Sequence, residues 1–254
     1  MDGKDLTNTT KTHYENLIRN VGERYIHYRW CDHPVKRSHY RQTRHAIELI
    51  FQDYVGQVEE LLEVGCGPAV WTPICLKYAY SLTLFDISFE MLKVAKERLA
   101  NCKQPINFIQ GDFVEESDKI TRKFDVVFSA RALEYMSDKK RMVKNSYNLL
   151  KERGTLIVIT KNPSWRDKTK YSSERTELLQ SGWISRKELE QCFTECGFGD
   201  LKIRSVVLGS YYFPFNNRVG TLCLEIVNRV LGRNEMMKKL DPLTESYLMC
   251  GRKM

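Results

Sequence analysis

The stretch Leu61–Pro73, LLEVGCGPAVWTP, sets an apolar run, one carboxylate and two closely spaced glycines where a buried strand should turn into a helix. Burial accounts for Leu61, Leu62 and Val64. It does not account for Glu63 beside Gly65 and Gly67. Glycine has no Cβ, so the backbone there can turn sharply and come close to a ligand. A glycine pair alone is a weak signal, because ordinary turns also use glycine, so its meaning depends on what surrounds it.

From about residue 58 to 208, apolar β-branched runs alternate with helix-like stretches. Strand signals occupy 59–65 (EELLEVG), 81–88 (SLTLFDIS), 106–113 (INFIQGDF), 124–130 (FDVVFSA), 154–161 (GTLIVITK) and 201–210 (LKIRSVVLGS). Helix signals lie at 71–80 (WTPICLKYAY), 89–102, 138–152 and 184–198, the last with its stop at Gly197. This alternation predicts an α/β fold, a doubly wound and mostly parallel sheet covered on both faces.

Two regions depart from that rhythm. Residues 12–50 read as two helices broken near His33-Pro34. Near the C-terminus, RVGTLCLEIVNRVL (218–231) sets Val219, Leu222, Cys223, Ile226, Val227, Val230 and Leu231 at alternating spacings of three and one. That is a one-sided apolar helix stripe, expected to pack on the domain or on a second subunit, with a membrane surface as the minority reading. ESYLMCGRK (245–253) predicts a seventh and final strand at the sheet edge. The chain thus divides into an N-terminal helical lid (1–50), a core (51–210) and a C-terminal part (211–254) carrying an amphipathic helical insertion and the last strand.

Composition bounds the function classes. In 254 residues there is no run of 18 or more apolar residues, so no membrane-spanning helix is predicted. The polar N-terminus lacks the apolar core of a secretory signal, and eight cysteines without such a signal read as free thiols of a cytoplasmic protein. No ligand spacing suggests a metal. The net charge of +8 is unevenly placed: 1–50 carries +3, 51–160 is neutral and 161–254 carries +5. A basic excess outside the central segment suits an anionic substrate, a membrane surface or RNA, as well as plain solubility.

Three features strengthen the glycine turn as a ligand site. The pattern is Glu63-x-Gly65-x-Gly67-x-Ala69, and Val70 stands where a dinucleotide fingerprint needs its third glycine. Glu63 would repel a pyrophosphate and suit a cationic ligand. Asp86 ends the next strand, where a carboxylate can accept hydrogen bonds from both ribose hydroxyls. Gly111-Asp112-Phe113 closes the third strand with a carboxylate and an aromatic for an adenine. Taken singly, Asp86 could instead cap a helix starting near Ser88, and Asp112 could be turn chemistry.

In this order the motifs resemble those of the class I S-adenosylmethionine-dependent methyltransferases of small-molecule type, over roughly residues 58–200. The resemblance implies a Rossmann-like fold and S-adenosyl-L-methionine as cofactor. It places Glu63, Gly65 and Gly67 at the methionine end, Asp86 on the ribose with Ile87 beside the adenine, Asp112 and Phe113 on the adenine edge and face, and Ser129 near the transferable methyl. Tyrosines of the N-terminal segment often touch cofactor or substrate in related enzymes, which singles out Tyr14 and, less strongly, Tyr25. LLKERGTLIVITKNP resembles the turn into the family's fifth strand, and 183–198 its helix before strand six. Ala69 replaces the family's usual third glycine.

A sulfonium methyl is already an electrophile, so the protein's work is to align the acceptor and exclude water. A hydroxyl acceptor would also need a base. All five histidines precede residue 46, so a histidine base requires the N-terminal helices to close over the site. His39, Arg131 and Tyr135 are the catalytic candidates, although surface histidines and packing roles are the plainer readings of each. The segment after the fourth strand, SARALEY, lacks both the box of base-methylating enzymes and a carboxylate cluster for a metal. The expectation is metal-independent transfer to a small-molecule, sugar or lipid-linked acceptor. RNA methylation, supported only by the basic flanks, is the enzyme alternative, although nucleic acid is the unfavoured partner; a homodimer and peripheral membrane contact are further partner readings, and a non-catalytic cofactor-binding subunit is the non-enzyme alternative.

Overall fold

A computed structural model describes residues 3–163, 182–208, 218–231 and 244–254, apart from the side chains of residues 3–5 and of Leu231. The expected strand end at Gly209-Ser210 lies outside that set. In chain order the elements are α1 (Gly3–Val21), α2 (Pro34–Ile50), β1 (Val58–Val64), α3 (Thr72–Cys75), β2 (Ala79–Asp86) and α4 (Phe89–Arg98). There follow β3 (Ile106–Gln110), α5 (Phe113–Glu116), β4 (Phe124–Ala130), α6 (Lys139–Leu149) and β5 (Leu150–Lys161). The last are α7 (Arg186–Cys196), β6 (Phe198–Leu208), α8 (Arg218–Leu231) and β7 (Thr244–Lys253).

Among the described residues the sheet has seven strands in the order β3-β2-β1-β4-β5-β7-β6. Strands β1 to β5 are parallel, and β7 runs antiparallel to both β5 and β6. The chain winds outward from β1 through β2 to β3, then returns to lay β4 on the other side of β1. Where the winding reverses, the carboxyl ends of β1 and β4 open a crevice, the usual ligand position in such sheets.

Successive residues of a strand point to opposite faces, which builds two cores from one sequence. Leu61, Leu82, Leu84, Val126, Phe128 and Ile157 face Ile47, Ile50, Phe51 and Trp71. Leu62, Val64, Val127, Leu156 and Val158 face Met142 and Val143 of α6 and Leu189 and Phe193 of α7. Helix ends follow local chemistry. His33 Nδ1 accepts the Val35 N–H at 3.2 Å ahead of Pro34, which produces the break expected there. Ser185 and Glu188 form a reciprocal capping box for α7, and Gly197 stops that helix in the left-handed region at φ 96°.

Three expectations need correction. The last strand is not at the edge: β7 inserts between β5 and β6, and its residues Tyr247–Cys250 are fully buried, as a run covered on both faces must be. The helix expected over 71–80 stops at Cys75, because the Tyr78 carbonyl accepts the Val58 N–H at 2.8 Å and Ala79 begins β2. The stripe of α8 does not pack on its own domain but faces outward, which leaves the second-subunit and membrane readings open. Val219, Leu222, Ile226, Val227 and Val230 are exposed, whereas Thr221, Glu225 and Asn228 are buried. Glu225 is held by Arg41 at 2.5 and 3.1 Å, and Asn228 Nδ2 donates to Gln42 Oε1 at 2.9 Å and to the Val206 carbonyl at 2.8 Å. Hydrogen bonds to α2 and β6 therefore orient this helix against its hydrophobic pattern.

Candidate active site

The turn after β1 is shaped by its glycines. Gly65 and Gly67 lie at φ 70° and 54°, and Ala69 shares that region at 59°. The N–H groups of Gly65 and Cys66 donate to the Phe85 carbonyl at 2.7 and 3.2 Å, so the turn hangs on the end of β2. A Cβ on Gly65 would collide with the side chain of Ala132 in the loop after β4, whereas one on Gly67 would meet nothing within 4 Å. The first glycine is required by packing. The second leaves room at the wall of a cavity.

Asp86 ties β2 to that turn: Oδ2 accepts the Gly67 N–H at 2.7 Å and Oδ1 the Ser88 N–H at 2.9 Å. Burial raises its pKa above the ordinary aspartate value, and these N–H groups oppose that rise. The capping of α4 falls to Ser88, whose Oγ accepts the Met91 N–H. Each carboxylate oxygen has two lone pairs, so Asp86 keeps acceptor capacity toward a ligand. Asp112 does serve as a cap: Oδ1 accepts the Val114 N–H at 2.9 Å at the start of α5. Phe113 beside it is buried edge-on against Phe85 at 5.4 Å.

A cavity of about 140 Å³ runs along these strand ends. Its floor is the turn from Val64 to Val70 with Phe85, Asp86 and Ile87 from β2, Gly111–Phe113 after β3, and Ala130–Ala132 with Tyr135 after β4. Its roof comes from the N-terminal segment: Thr7, Thr10, Tyr14, Tyr25, Arg29 and Trp30. The N-terminal segment is pinned by rings, with Trp30 edge-on to Trp71 at 5.3 Å and Tyr40 stacked on Trp71 at 5.2 Å. Tyr14 meets Tyr135 edge-on at 5.3 Å, and burial followed by Tyr135 pushes the Tyr14 hydroxyl well above its ordinary value.

Of the residues read from the sequence, Tyr14, Gly65, Gly67, Asp86, Ile87, Asp112, Phe113, Arg131 and Tyr135 converge on this cavity. Three do not line it. Glu63 is buried in β1 beneath the turn, where its Oε2 accepts the Thr72 hydroxyl at 2.7 Å, and burial raises its pKa to about 8. Ser129 is a buried residue within β4, not after it, and the wall there begins at Ala130. His39 is buried in α2 with Nε2 3.2 Å from Glu245 Oε2. Burial, then Lys161, Arg131 and Arg29, hold its ionisation well below the ordinary histidine value. Thr10 and Trp30 sit in no motif; only the aromatic richness of residues 25–30 hints at that part of the roof.

Beyond Ala130 the chain builds a charged network. Arg131 takes φ 63°, an uncommon angle for a non-glycine residue, while its N–H continues the ladder to the Ile159 carbonyl at 2.8 Å. Its Nε donates to Glu134 Oε1 at 3.1 Å, and Glu134 Oε2 accepts the Thr160 hydroxyl at 3.1 Å. Lys161 pairs with Glu245, the same carboxylate that His39 faces, and lies over the Trp183 ring at 5.6 Å. One end of the site is therefore acidic, at Asp86 and Asp112, and the other collects cations.

Comparison with known proteins places this geometry. Residues 62–158 match the family described as a methyltransferase domain. A ubiquinone biosynthesis O-methyltransferase of Coxiella burnetii is 28% identical over 120 residues, 47% of this chain and 51% of that protein. A malonyl-[acyl-carrier protein] O-methyltransferase of Ilyobacter polytropus is 32% identical over 102 residues, 39% of this chain and 37% of that one. The chain thus spans about half the length, or less, of these curated relatives. In structure it is similar to the N-methyltransferase NodS of Bradyrhizobium japonicum bound to S-adenosyl-L-homocysteine, with a TM-score of 0.61 at 15% identity over 94% of this chain and 98% of that one. The magnesium protoporphyrin IX methyltransferase of Synechocystis PCC 6803 gives 0.61 at 12% identity over the full length of both. Residues 62–158 thus match a methyltransferase domain, and the seven-stranded fold that carries them is the one seen in these methyltransferase structures.

Proposed function

We propose that this chain transfers the methyl group of S-adenosylmethionine, without a metal, to a small-molecule acceptor, sugars and lipid-linked compounds included. The observation that carries the reading is the single cavity joining the glycine turn, Asp86, Asp112-Phe113 and the loop after β4 under an aromatic roof. The cofactor fits that donor set. The open space beside Gly67 admits close approach, Asp86 has lone pairs for a ribose diol, and Asp112 with Phe113 and Ile87 suits an adenine. Thr10 Oγ1, a buried hydroxyl with no hydrogen-bond partner among the described residues, is a further group that a polar ligand would satisfy.

When bound, S-adenosylmethionine supplies a methyl on a sulfonium, already activated toward a nucleophile. The chain's own residues then bind, orient and exclude water. Trp30, Tyr14 and Tyr25 close the roof, and Arg131 and Tyr135 face the acceptor's side of the cavity. His39, behind the Lys161–Glu245 pair, acts as a positioning residue and not as a base touching substrate. The boundaries 1–50, 51–210 and 211–254 serve as a functional division into lid, cofactor core and appended region. The eight free thiols suit the cytoplasm.

The outward stripe of α8 supports the finer reading of an acceptor presented at an anionic membrane surface, since Arg218 and Arg229 flank the stripe and 161–254 carries the chain's largest basic excess. Self-association through the same face is the competing outcome. The deciding test of the main reading is calorimetric titration with S-adenosylmethionine and S-adenosylhomocysteine. Binding in the micromolar range, about −8 kcal/mol, is expected. A folded protein that binds neither would overturn it.

A further inference from the structure

We infer that the cation-rich end of the cavity is a socket for an oxyanion, a carboxylate or phosphate, on the acceptor, with Arg131 as its anchor. The inference rests on the methyl-transfer reading and specifies the class of substrate.

Arg131 is in an unusual state for an arginine. Its side chain is 91% buried, as its 9% exposure shows, and Nε is committed to Glu134, yet Nη1 is buried with no hydrogen-bond partner among the described residues. Leaving a buried charged donor unpaired is costly, so such an atom in a cavity wall points to a ligand. The backbone reinforces this: φ 63° turns Arg131 out of the strand direction at the point where β4 ends and the cavity begins. Uncommon angles in non-glycine residues concentrate at ligand sites.

The surroundings favour an anion. Arg131 and Arg29 lie near enough to Lys161 that, after burial, their charges lower its pKa. Two guanidinium groups, of Arg131 and Arg29, thus share the neighbourhood with two carboxylates that already have partners: Glu134, taken by Arg131 and Thr160, and Glu245, taken by Lys161 and His39. A guanidinium offers a planar fork that matches carboxylate and phosphate oxygens. Both arginines approach Trp30, Arg29 at 5.7 Å and Arg131 at 5.9 Å from the ring centre, so the anion would sit beside an aromatic wall.

The oxyanion belongs to the acceptor and not to the cofactor because of where the contacts run. Tyr25 links Arg29 to the Asp86 end, since it feels both groups. Arg131 is bound through Glu134 to Thr160 at the end of β5, on the opposite side of β4 from the glycine turn.

The test uses the whole chain saturated with S-adenosylhomocysteine and three probes: benzoate, phenyl phosphate and uncharged benzamide. Calorimetry should show benzoate, phenyl phosphate or both binding at least about tenfold more tightly than benzamide, with a Kd below roughly 10 mM. The tighter of the two anions identifies the source of the oxyanion. Arg131→Gln should abolish the preference while retaining S-adenosylhomocysteine affinity within about twofold. Arg131→Lys, which keeps a cation against Glu134 should the glutamine variant not fold, should keep only part of the preference. Equal binding of benzoate, phenyl phosphate and benzamide to the wild type overturns the socket, as does a loss of S-adenosylhomocysteine affinity in Arg131→Gln as large as the loss of anion affinity. Failure of the wild type to bind S-adenosylhomocysteine at all sinks the methyl-transfer reading itself.

Discussion

The carboxylate of Asp86 and the backbone N–H of Gly67, nineteen residues apart in sequence, are joined by a 2.7 Å hydrogen bond. The acid at the end of one strand therefore holds the glycine turn at the end of its neighbour. The same carboxylate takes the Ser88 N–H, so one side chain fixes two approaches to the cavity.

Asp86→Ala should consequently do two things at once. It leaves the Gly67 and Ser88 N–H groups without their acceptor, at about 1–3 kcal/mol for each one left buried and unpaired. It also removes the acceptor for a ribose diol. Asp86→Asn keeps an oxygen for one of the two N–H groups, so it should recover part of the stability while S-adenosylhomocysteine affinity stays at least about tenfold down. Denaturation and calorimetry on the pair separate the roles. Wild-type affinity in Asp86→Asn would show that the carboxylate is structural only.

The two glycines should fail differently. Gly65→Ala drives a methyl into Ala132 and strains φ 70°, so a loss of about 2–4 kcal/mol is expected. Adding Ala132→Gly should return part of that loss as a coupling of about 1 kcal/mol or more. Gly67→Ala meets no atom and should cost about 1 kcal/mol for its backbone alone. Its methyl occupies the space beside the cavity, so cofactor affinity should fall while the melting temperature nearly holds.

Glu63 makes stability depend on pH in a definite direction. It ionises near pH 8 when folded, against an ordinary value of 4.5, because burial disfavours the charge. The unfolded chain gives up this proton first. Wild-type stability relative to Glu63→Gln is thus fully present below about pH 4.5 and declines as pH rises toward about 8. The variant keeps an acceptor for the Thr72 hydroxyl. Unfolding free energies from urea titrations should separate across that window in favour of Gln, by up to about 5 kcal/mol at the alkaline end. Parallel curves would mean that Glu63 stays ionised in the folded protein.

The α8 stripe should be expendable for folding. Leu222→Ser with Ile226→Ser alters residues that are 54% and 55% exposed, so stability should stay within about 0.5 kcal/mol. Co-sedimentation with vesicles rich in anionic phospholipid should be lost in the same variant. Unchanged sedimentation, or a shift from dimer to monomer in solution, would move the face from membrane contact to self-association. Glu225→Ala should instead destabilise, since it strips the buried partner from Arg41.

Local sequence alone determined the elements that repeat a local rule. Alternation of apolar runs with helical periodicity marks the strands because each side chain's direction follows from its own backbone, and a Gly-x-Gly turn or a strand-end acid needs no distant partner to be visible. The sequence likewise placed Asp86, Asp112-Phe113 and Arg131 at successive strand ends, hence near one crevice. Only the tertiary structure decided the rest, and each case is a non-local contact. β7 enters the sheet interior because β5 and β6 both pair with it, a choice that 245–253 does not encode by itself. Gln42, Arg41 and Val206 turn α8 inside out by satisfying Asn228 and Glu225, outweighing the pattern of the helix's own apolar residues. Glu63 falls beneath the cavity because its strand residue points into the core toward Thr72, and Trp30 is held in the roof by the distant rings of Trp71 and Tyr40. Where a residue's role depends on which partner satisfies its polar atoms or covers its ring, the chain must fold before that role exists.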